Sequence, residues 1–235
     1  MSAEYDFAER VAVVTGASGA LGSAIARAFD AAGATVIAVD LVPPSDEDAL
    51  LDPGLADFYR ADLTDESAVE ETVGAIVDDH GGLDVLCNIA GTWRGGSPIH
   101  ETDVEEFDFL FDVNLKSMFL ASKHAIPHLN EREGAIVSVS ARSSLEGGTG
   151  DGPYRASKAV VRLLTETIAE ENEDSLRANA IMPSVIDTPM NRDMMPDADH
   201  STWVDPADIA DVVLFLCSDA AGVTSGAAVP VYGEA

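Results

Sequence analysis

Lysine is almost missing from this chain: among 235 residues only Lys116, Lys123 and Lys158 are lysine. Cationic side chains of both kinds number 13 against 42 carboxylates, a formal net charge of −29. Nucleic-acid backbones are held mainly by cation–phosphate contacts, so no nucleic-acid partner is expected. Cysteine is equally scarce. Cys87 and Cys217 each fall inside an apolar run, lack metal-ligand spacing and read as buried free thiols. The five histidines are scattered, and no metal is expected. No apolar run approaches the roughly 20 residues that a membrane span requires, so no membrane partner is expected either. The acidic start Met1-Ser2-Ala3-Glu4-Tyr5-Asp6 lacks the basic-then-apolar run of a secretory signal. A soluble, cytoplasmic protein is the expectation.

What is abundant is acid, and it is dispersed. Asp46-Glu47-Asp48, Glu66, Glu70-Glu71, Glu170-Glu171 and Glu173-Asp174 lie in different segments rather than in one tail. A tail would suggest a disordered interaction segment. An acidic skin repels itself, and at molar salt the Debye length is about 3 Å, which screens that repulsion. Adaptation to a salty cytoplasm, a halophilic protein, is therefore expected.

Apolar runs alternate with helical patterns along the whole chain. Strands are expected at Val11–Thr15, Thr35–Val39, Phe58–Ala61, Val85–Asn88, Ala135–Ser140, Arg177–Met182 and Ala228–Val231. Helices are expected at Leu21–Ala32, Glu66–Asp79, Tyr154–Glu170 and Pro206–Cys217. A longer one is expected from Val104 to Leu129, with a break near Phe111 left open. A Pro- and Asp-rich loop fills Val42 to Leu55, and a Gly-rich loop runs up to Pro153. Alternating strands and helices mean βαβ units around a parallel sheet, and continuously apolar strands mean helices on both faces. One α/β domain over residues 1–235, a doubly wound parallel sheet in three layers, is the expected fold.

The first strand runs into Thr15-Gly-Ala-Ser-Gly-Ala-Leu-Gly22 and then a helix. Glycines at 16, 19 and 22 permit a tight turn and let the backbone of Gly16, Ser18, Gly19, Ala20, Leu21 and Gly22 approach a pyrophosphate at a helix N-terminus. Tight strand–helix packing is the plain alternative for such a loop. Its place after the first strand favours a Rossmann-type dinucleotide site. Asp40 ends the second strand, 18 residues past Gly22. A carboxylate there accepts hydrogen bonds from adenosine ribose hydroxyls and repels a 2′-phosphate. Leu41-Val42-Pro43-Pro44 brings no cation after it, so NAD is expected rather than NADP.

With these elements in order, the chain resembles the short-chain dehydrogenase/reductase family over nearly its whole length. The likeness rests on the Thr15–Gly22 loop, Asp62-Leu63, Asn88-Ile-Ala-Gly91 and Asn114 in Val113-Asn-Leu. It continues through Tyr154-Arg-Ala-Ser-Lys158 to Pro183-Ser-Val-Ile-Asp-Thr188. The resemblance implies that Asp62 and Leu63 flank the adenine. It implies that Asn88, Ala90 and Gly91 support the central strand and line the cofactor, and that Pro183, Val185, Ile186 and Thr188 hold the nicotinamide amide. It implies dimers or tetramers built through the helices carrying Asn114 and Tyr154. Ala20, Ile89 and Ser184 depart from the family pattern without removing a group the chemistry requires.

Tyr154 and Lys158 are four residues apart, hence on one helix face. A phenol near pKa 10 is a poor base at neutral pH. An adjacent ammonium and an oxidised, positively charged nicotinamide would both favour phenolate, so Tyr154 could take or give the hydroxyl proton. By the resemblance, Lys158 also bonds the nicotinamide ribose and Asn114 positions a water that links Lys158 to solvent. The family's carbonyl-polarising serine lies about 13 residues before the tyrosine; that position here is Ala141. Ser140 and Ser143 flank it and are the candidate replacements, with plain loop hydroxyls as the alternative. Ala141-Arg-Ser-Ser-Leu-Glu-Gly147 resembles the serine-less stretch of dihydropteridine reductases, which would suit a conjugated ring. After Thr188, Met190, Arg192, Met194 and Met195 either cap a small-molecule substrate, with Arg192 meeting a carboxylate, or form a helix over the sheet edge.

The expected activity is NAD(H)-dependent interconversion of an alcohol and a carbonyl, with Tyr154 as acid and base. Reduction of a quinonoid ring is a second enzymatic reading. A non-catalytic dinucleotide-binding sensor or structural subunit is the reading from another class.

Overall fold

Strand β1 (Val11–Thr15) is buried at every position. Its side chains alternate between two cores, because successive strand residues point to opposite faces. Ala12 and Val14 enter a core with Ile25, Phe29 and Val213. Val11 and Val13 enter another with Ile37, Met118, Ala125 and Ile168. β4 (Val85–Asn88) and β5 (Ala135–Val139) divide in the same way, with Cys87 and Val137 on one side and Leu86 and Ile136 on the other. A sheet apolar on both faces must be covered on both, which is why all seven strands run parallel between helical layers.

The computed structural model describes residues 5–233; the reading of the acidic start as no signal falls mainly on residues outside these. The strands order as β3-β2-β1-β4-β5-β6-β7, with β2 at Thr35–Asp40, β3 at Asp57–Arg60, β6 at Arg177–Pro183 and β7 at Ala228–Val231. Helices α1 (Ala20–Ala31) and α7 (Pro206–Cys217) pack on each other over one face. α2 (Glu66–His80), α4 (Ser117–Asn130) and α5 (Gly152–Glu171) cover the other. The strand order reverses between β1 and β4. That switch point opens a crevice beyond the carboxyl ends of the strands, where ligands bind in such sheets.

The expected elements are present, most shifted by one or two residues at an end. The long helix breaks as left open: α3 (Val104–Phe111) gives way to a π turn at Asp112–Lys116 before α4 begins. The Gly-rich loop holds a short 3-10 turn, Arg142–Leu145. Pro189–Met194 forms a one-and-a-half-turn helix, α6. No helix among the described residues is long and apolar enough to cross a membrane.

Candidate active site

The crevice is a cleft of about 1680 Å³ formed by the segments beyond the carboxyl ends of β1 to β6. β1 delivers the glycine loop. Gly16 has φ +63°, and a Cβ at Gly22 would lie 2.1 Å from the Gly16 carbonyl oxygen. Only hydrogen at these Cα atoms lets the loop fold back on itself at the start of α1, where Gly19 caps the helix without a side-chain hydrogen bond. A cradle of bare backbone at a helix N-terminus is left facing the cleft, the arrangement that suits a pyrophosphate. Ser18, Gly19, Ala20 and Leu21 line it as expected. Thr15 closes the loop from below: its hydroxyl donates to the Cys87 carbonyl (3.2 Å) and accepts from the N–H groups of Ile89 (3.0 Å) and Ala90 (3.2 Å).

At the end of β2, the Asp40 carboxylate is held from both sides. Oδ2 accepts from the Ser18 N–H (3.0 Å) and Oδ1 from the Val42 N–H (3.1 Å). Each oxygen keeps a lone pair for a further donor. Asp40 and Leu41 line the cleft, as do Asp62 and Leu63. The Thr64 hydroxyl (2.7 Å) and N–H (2.9 Å) bond Asp62 and hold its carboxyl below the usual range. The sheet also places a cation that the neighbours of Asp40 in sequence do not supply. Arg60 on β3 pairs in register with Asp40, and its Nε donates to the Leu41 carbonyl at 3.1 Å.

Asn88 supports the central strand, its amide donating to Ser122 (3.0 Å) and Ser138 (3.2 Å), but it does not line the cleft. Ala90 and Gly91 do line it. Gly91 is where three elements converge: a Cβ there would come within 2.8 Å of Asn114 Oδ1 and 3.0 Å of Lys158 Nζ. Asn114, in the π turn, accepts from the Thr92 N–H (2.7 Å) and donates to the Thr92 carbonyl (3.0 Å) and to Ser157 (3.2 Å). Its side chain thus clamps the segment after β4 to α5.

On α5, Tyr154 and Lys158 both line the cleft. Lys158 is buried, donates to the Val139 carbonyl at 2.9 Å, and is brought by burial down to about 8. Tyr154 is pushed the other way, up to about 12, first by burial and then by the Asp151 carboxylate, with Arg155 opposing. The expected lowering of the phenol by a neighbouring ammonium is therefore corrected for the chain by itself. Lys158 aims its ammonium at a carbonyl and is itself driven toward neutrality. The phenol stays protonated at neutral pH, poised to donate.

Of the two candidate serines, Ser140 is buried; its hydroxyl donates to the Lys158 carbonyl (2.7 Å) and can accept from the Ser144 hydroxyl (3.1 Å). The bond to Lys158 ties β5 to α5 and occupies the hydroxyl proton of Ser140, which itself lines the cleft. Ala141, which has no hydroxyl, lines the cleft, and Ser143 lines it from the 3-10 turn. Beyond β6, Pro183, Val185, Ile186 and Thr188 line the wall, and the Thr188 hydroxyl caps α6 by accepting the Asn191 N–H (3.1 Å). Met190, Met194 and Met195 line the cleft, whereas Arg192 does not. Arg192 forks onto Asp187, with Nη2 to Oδ2 at 2.7 Å, and so is turned to its own helix start rather than to a substrate carboxylate. Sequence reasoning missed Trp93 and Phe109 in the lining, since no spacing rule brings them there.

A family profile described as enoyl-(acyl carrier protein) reductase matches residues 16–233. The chain is 35% identical to cis-4-hydroxycyclohexanecarboxylate dehydrogenase of Sinomonas cyclohexanicum, over 97% of this chain and 96% of that protein. It is 32% identical to meso-2,3-butanediol dehydrogenase of Serratia marcescens, over 97% and 95%. Among solved structures, aldohexose dehydrogenase of Thermoplasma acidophilum superposes with a TM-score of 0.87 at 30% identity, covering 99% of this chain and 95% of that one. These three relatives are all named dehydrogenases, and the glycine cradle and the Tyr154–Lys158 face fit oxidoreduction with a nicotinamide dinucleotide. The chain belongs to the short-chain dehydrogenase/reductase family.

Proposed function

We propose that this protein interconverts an alcohol and a carbonyl compound with NAD(H), Tyr154 acting as the general acid and base. The observation that carries the reading is one cleft lined both by the Gly16–Gly22 cradle with Asp40 and by Tyr154 with Lys158. A bound nicotinamide dinucleotide supplies the hydride donor or acceptor. The cradle would hold its pyrophosphate, Asp40 its adenosine ribose, Asp62 and Leu63 its adenine edge, and Val185, Ile186 and Thr188 its nicotinamide end. Tyr154 gives its proton to a nascent alkoxide in reduction, or takes the proton of an alcohol in oxidation. Lys158 orients the ribose, and Asn114 in its π turn belongs to the route that returns the proton to solvent. The test is NADH oxidation at high salt against a panel of ketones and aldehydes. Tight NAD binding with no turnover on any substrate class, quinonoid rings included, would make the protein a sensor instead.

The preference for NAD rests on Asp40, whose fixed charge opposes a 2′-phosphate. Asp40→Asn keeps the shape and removes the charge, leaving Arg60 as the nearby cation. The ratio of kcat/KM for NADPH to that for NADH is expected to rise at least about tenfold, the effect of one charge contact at roughly 1.4 kcal/mol. A wild-type enzyme that already prefers NADPH would overturn the assignment.

The engagement of the Ser140 hydroxyl by the Lys158 carbonyl, with Ala141 beside it, favours a second substrate class, a quinonoid or other conjugated ring whose oxygen needs less polarisation. A halophilic habitat and assembly with further copies of the chain belong to the same proposal. The second is supported by Phe107, Phe119 and Leu163, which lie 42–50% exposed on α3, α4 and α5.

A further inference from the structure

Arg155 follows Tyr154 directly, in a chain with few cations to spend. Its guanidinium is mostly buried, with the side chain 23% exposed and that of its partner Asp151 only 14%. Nε donates to Asp151 Oδ1 at 2.6 Å, while Nη1 reaches the carbonyls of Ser143 (3.3 Å) and Glu146 (3.2 Å). Gly148 lies against the same guanidinium so closely that a Cβ there would come 2.1 Å from Cζ. Behind Asp151, the Gly96 N–H donates to the Gly150 carbonyl at 2.6 Å and fastens this segment to the loop after β4. One side chain therefore grips the whole excursion from Ser143 to Gly148 and anchors it to the first turn of α5.

We propose that Arg155, locked by Asp151, is a positioning residue that sets the Ala141–Ser143 edge of the cleft against Tyr154. The inference rests on the oxidoreductase reading above for its catalytic meaning, though the clamp itself does not. The 3-10 turn and the following Gly147, Gly148 and Gly150 have little apolar side chain to bury, so local order there must come from polar anchors. Nε and Nη1 of the rigid planar guanidinium bond a carboxylate and two carbonyls from separate, fixed directions. Lysine has donors enough, but all three sit on one atom at the end of a flexible stem. Loose placement of a group facing the reacting carbon by about 1 Å can cost about a hundredfold in rate, so a clamp on this edge bears on kcat. Arg155 touches neither the glycine cradle nor Asp40, so cofactor affinity should be indifferent to it.

The test uses the full chain and two readouts. Hydrogen exchange of residues 142–150, measured without added ligand, is expected to quicken at least about tenfold in Arg155→Gln and in Asp151→Asn. Arg155→Lys should give an intermediate rate. With NADH and whichever carbonyl compound is turned over, Arg155→Gln is expected to lower kcat about tenfold with the KM for NADH within twofold, and Arg155→Lys to recover part of the loss. Unchanged exchange in 142–150 would overturn the clamp. Faster exchange with unchanged kcat would overturn its positioning role and leave a merely structural pair. A wild-type enzyme without turnover would strike the proposed function alone, since the exchange result stands without it.

Discussion

Tyr154→Phe is expected to reduce kcat about a thousandfold or more, with the fold and NADH affinity retained. Positioned acid–base groups contribute about 10² to 10⁴ in rate. The upper part of that range applies here because Ala141 offers no hydroxyl and Ser140 spends its own on the Lys158 carbonyl. Tyr154 is then the principal side-chain donor to the substrate oxygen, with Ser143 the one other candidate hydroxyl from the sequence that stands at the cleft unengaged by Lys158. The ring stays in place in the variant, so melting temperature should move little. The pH dependence has a definite sense. With burial and Asp151 holding the phenol up to about 12, reduction, which needs the protonated form, should persist well into the alkaline range. Oxidation needs the phenolate and should increase with pH up to the pKa that the phenol has beside bound NAD⁺, then level off. Ser143→Ala separates the substrate classes: a loss of tenfold or more marks Ser143 as a polarising donor, whereas an unchanged rate favours the conjugated ring. Tyr154→Phe with undiminished turnover would end the acid–base assignment.

Lys158→Met is expected to abolish most turnover and yet to stabilise the protein near pH 7. Burial takes Lys158 from its ordinary 10.5 to about 8. Below pH 8 the ammonium is charged in both the folded and the unfolded chain, and the folded one bears a desolvation cost of roughly 3 kcal/mol by linkage. Between about 8 and 10.5 the unfolded chain binds the extra proton, so stability of the wild type rises with pH and the cost disappears. Methionine keeps the length of the side chain without the charge. It leaves the Val139 carbonyl without its donor, which returns about 1 kcal/mol. A net gain of about 2 kcal/mol at pH 7 corresponds to several degrees in Tm for a chain of this size. Comparison at pH 7 and pH 9.5 stays below the region near 10 where Tyr154, shifted upward, begins to act in the opposite sense. Thermal unfolding at the two pH values should show the advantage of the variant shrinking. An advantage that grows with pH would contradict the burial of a charged lysine. Retention of such a costly residue, among only three lysines, is what a functional rather than a structural group looks like.

Much of this was legible before any fold was known. β1, β2 and β4 are apolar at nearly every position, and a strand that must be buried on both faces has few other homes than a parallel sheet between helices. The glycine loop, Asp40 and the Tyr154–Lys158 face arise from local rules: backbone sterics, strand ends and the helical repeat. Contacts between segments far apart in sequence were not legible. The placement of Arg60 beside Leu41 depends on strand register, and that of Asn88 beneath the sheet depends on Ser122 and Ser138. The pairs Arg192–Asp187 and Arg155–Asp151 are local in sequence, but the direction each arginine takes, and the burial of the second pair, are not.

The near absence of lysine, the dinucleotide loop and the Tyr154–Lys158 spacing were therefore determined by the sequence alone, because each is a property of composition or of one segment. What the Ser140 hydroxyl bonds, and which way the phenol and the ammonium are driven, were decided only by tertiary structure. Rotamers and desolvation depend on what packs around a group, and at Ser140, Tyr154 and Lys158 those neighbours come from β5, α5 and the turn between them.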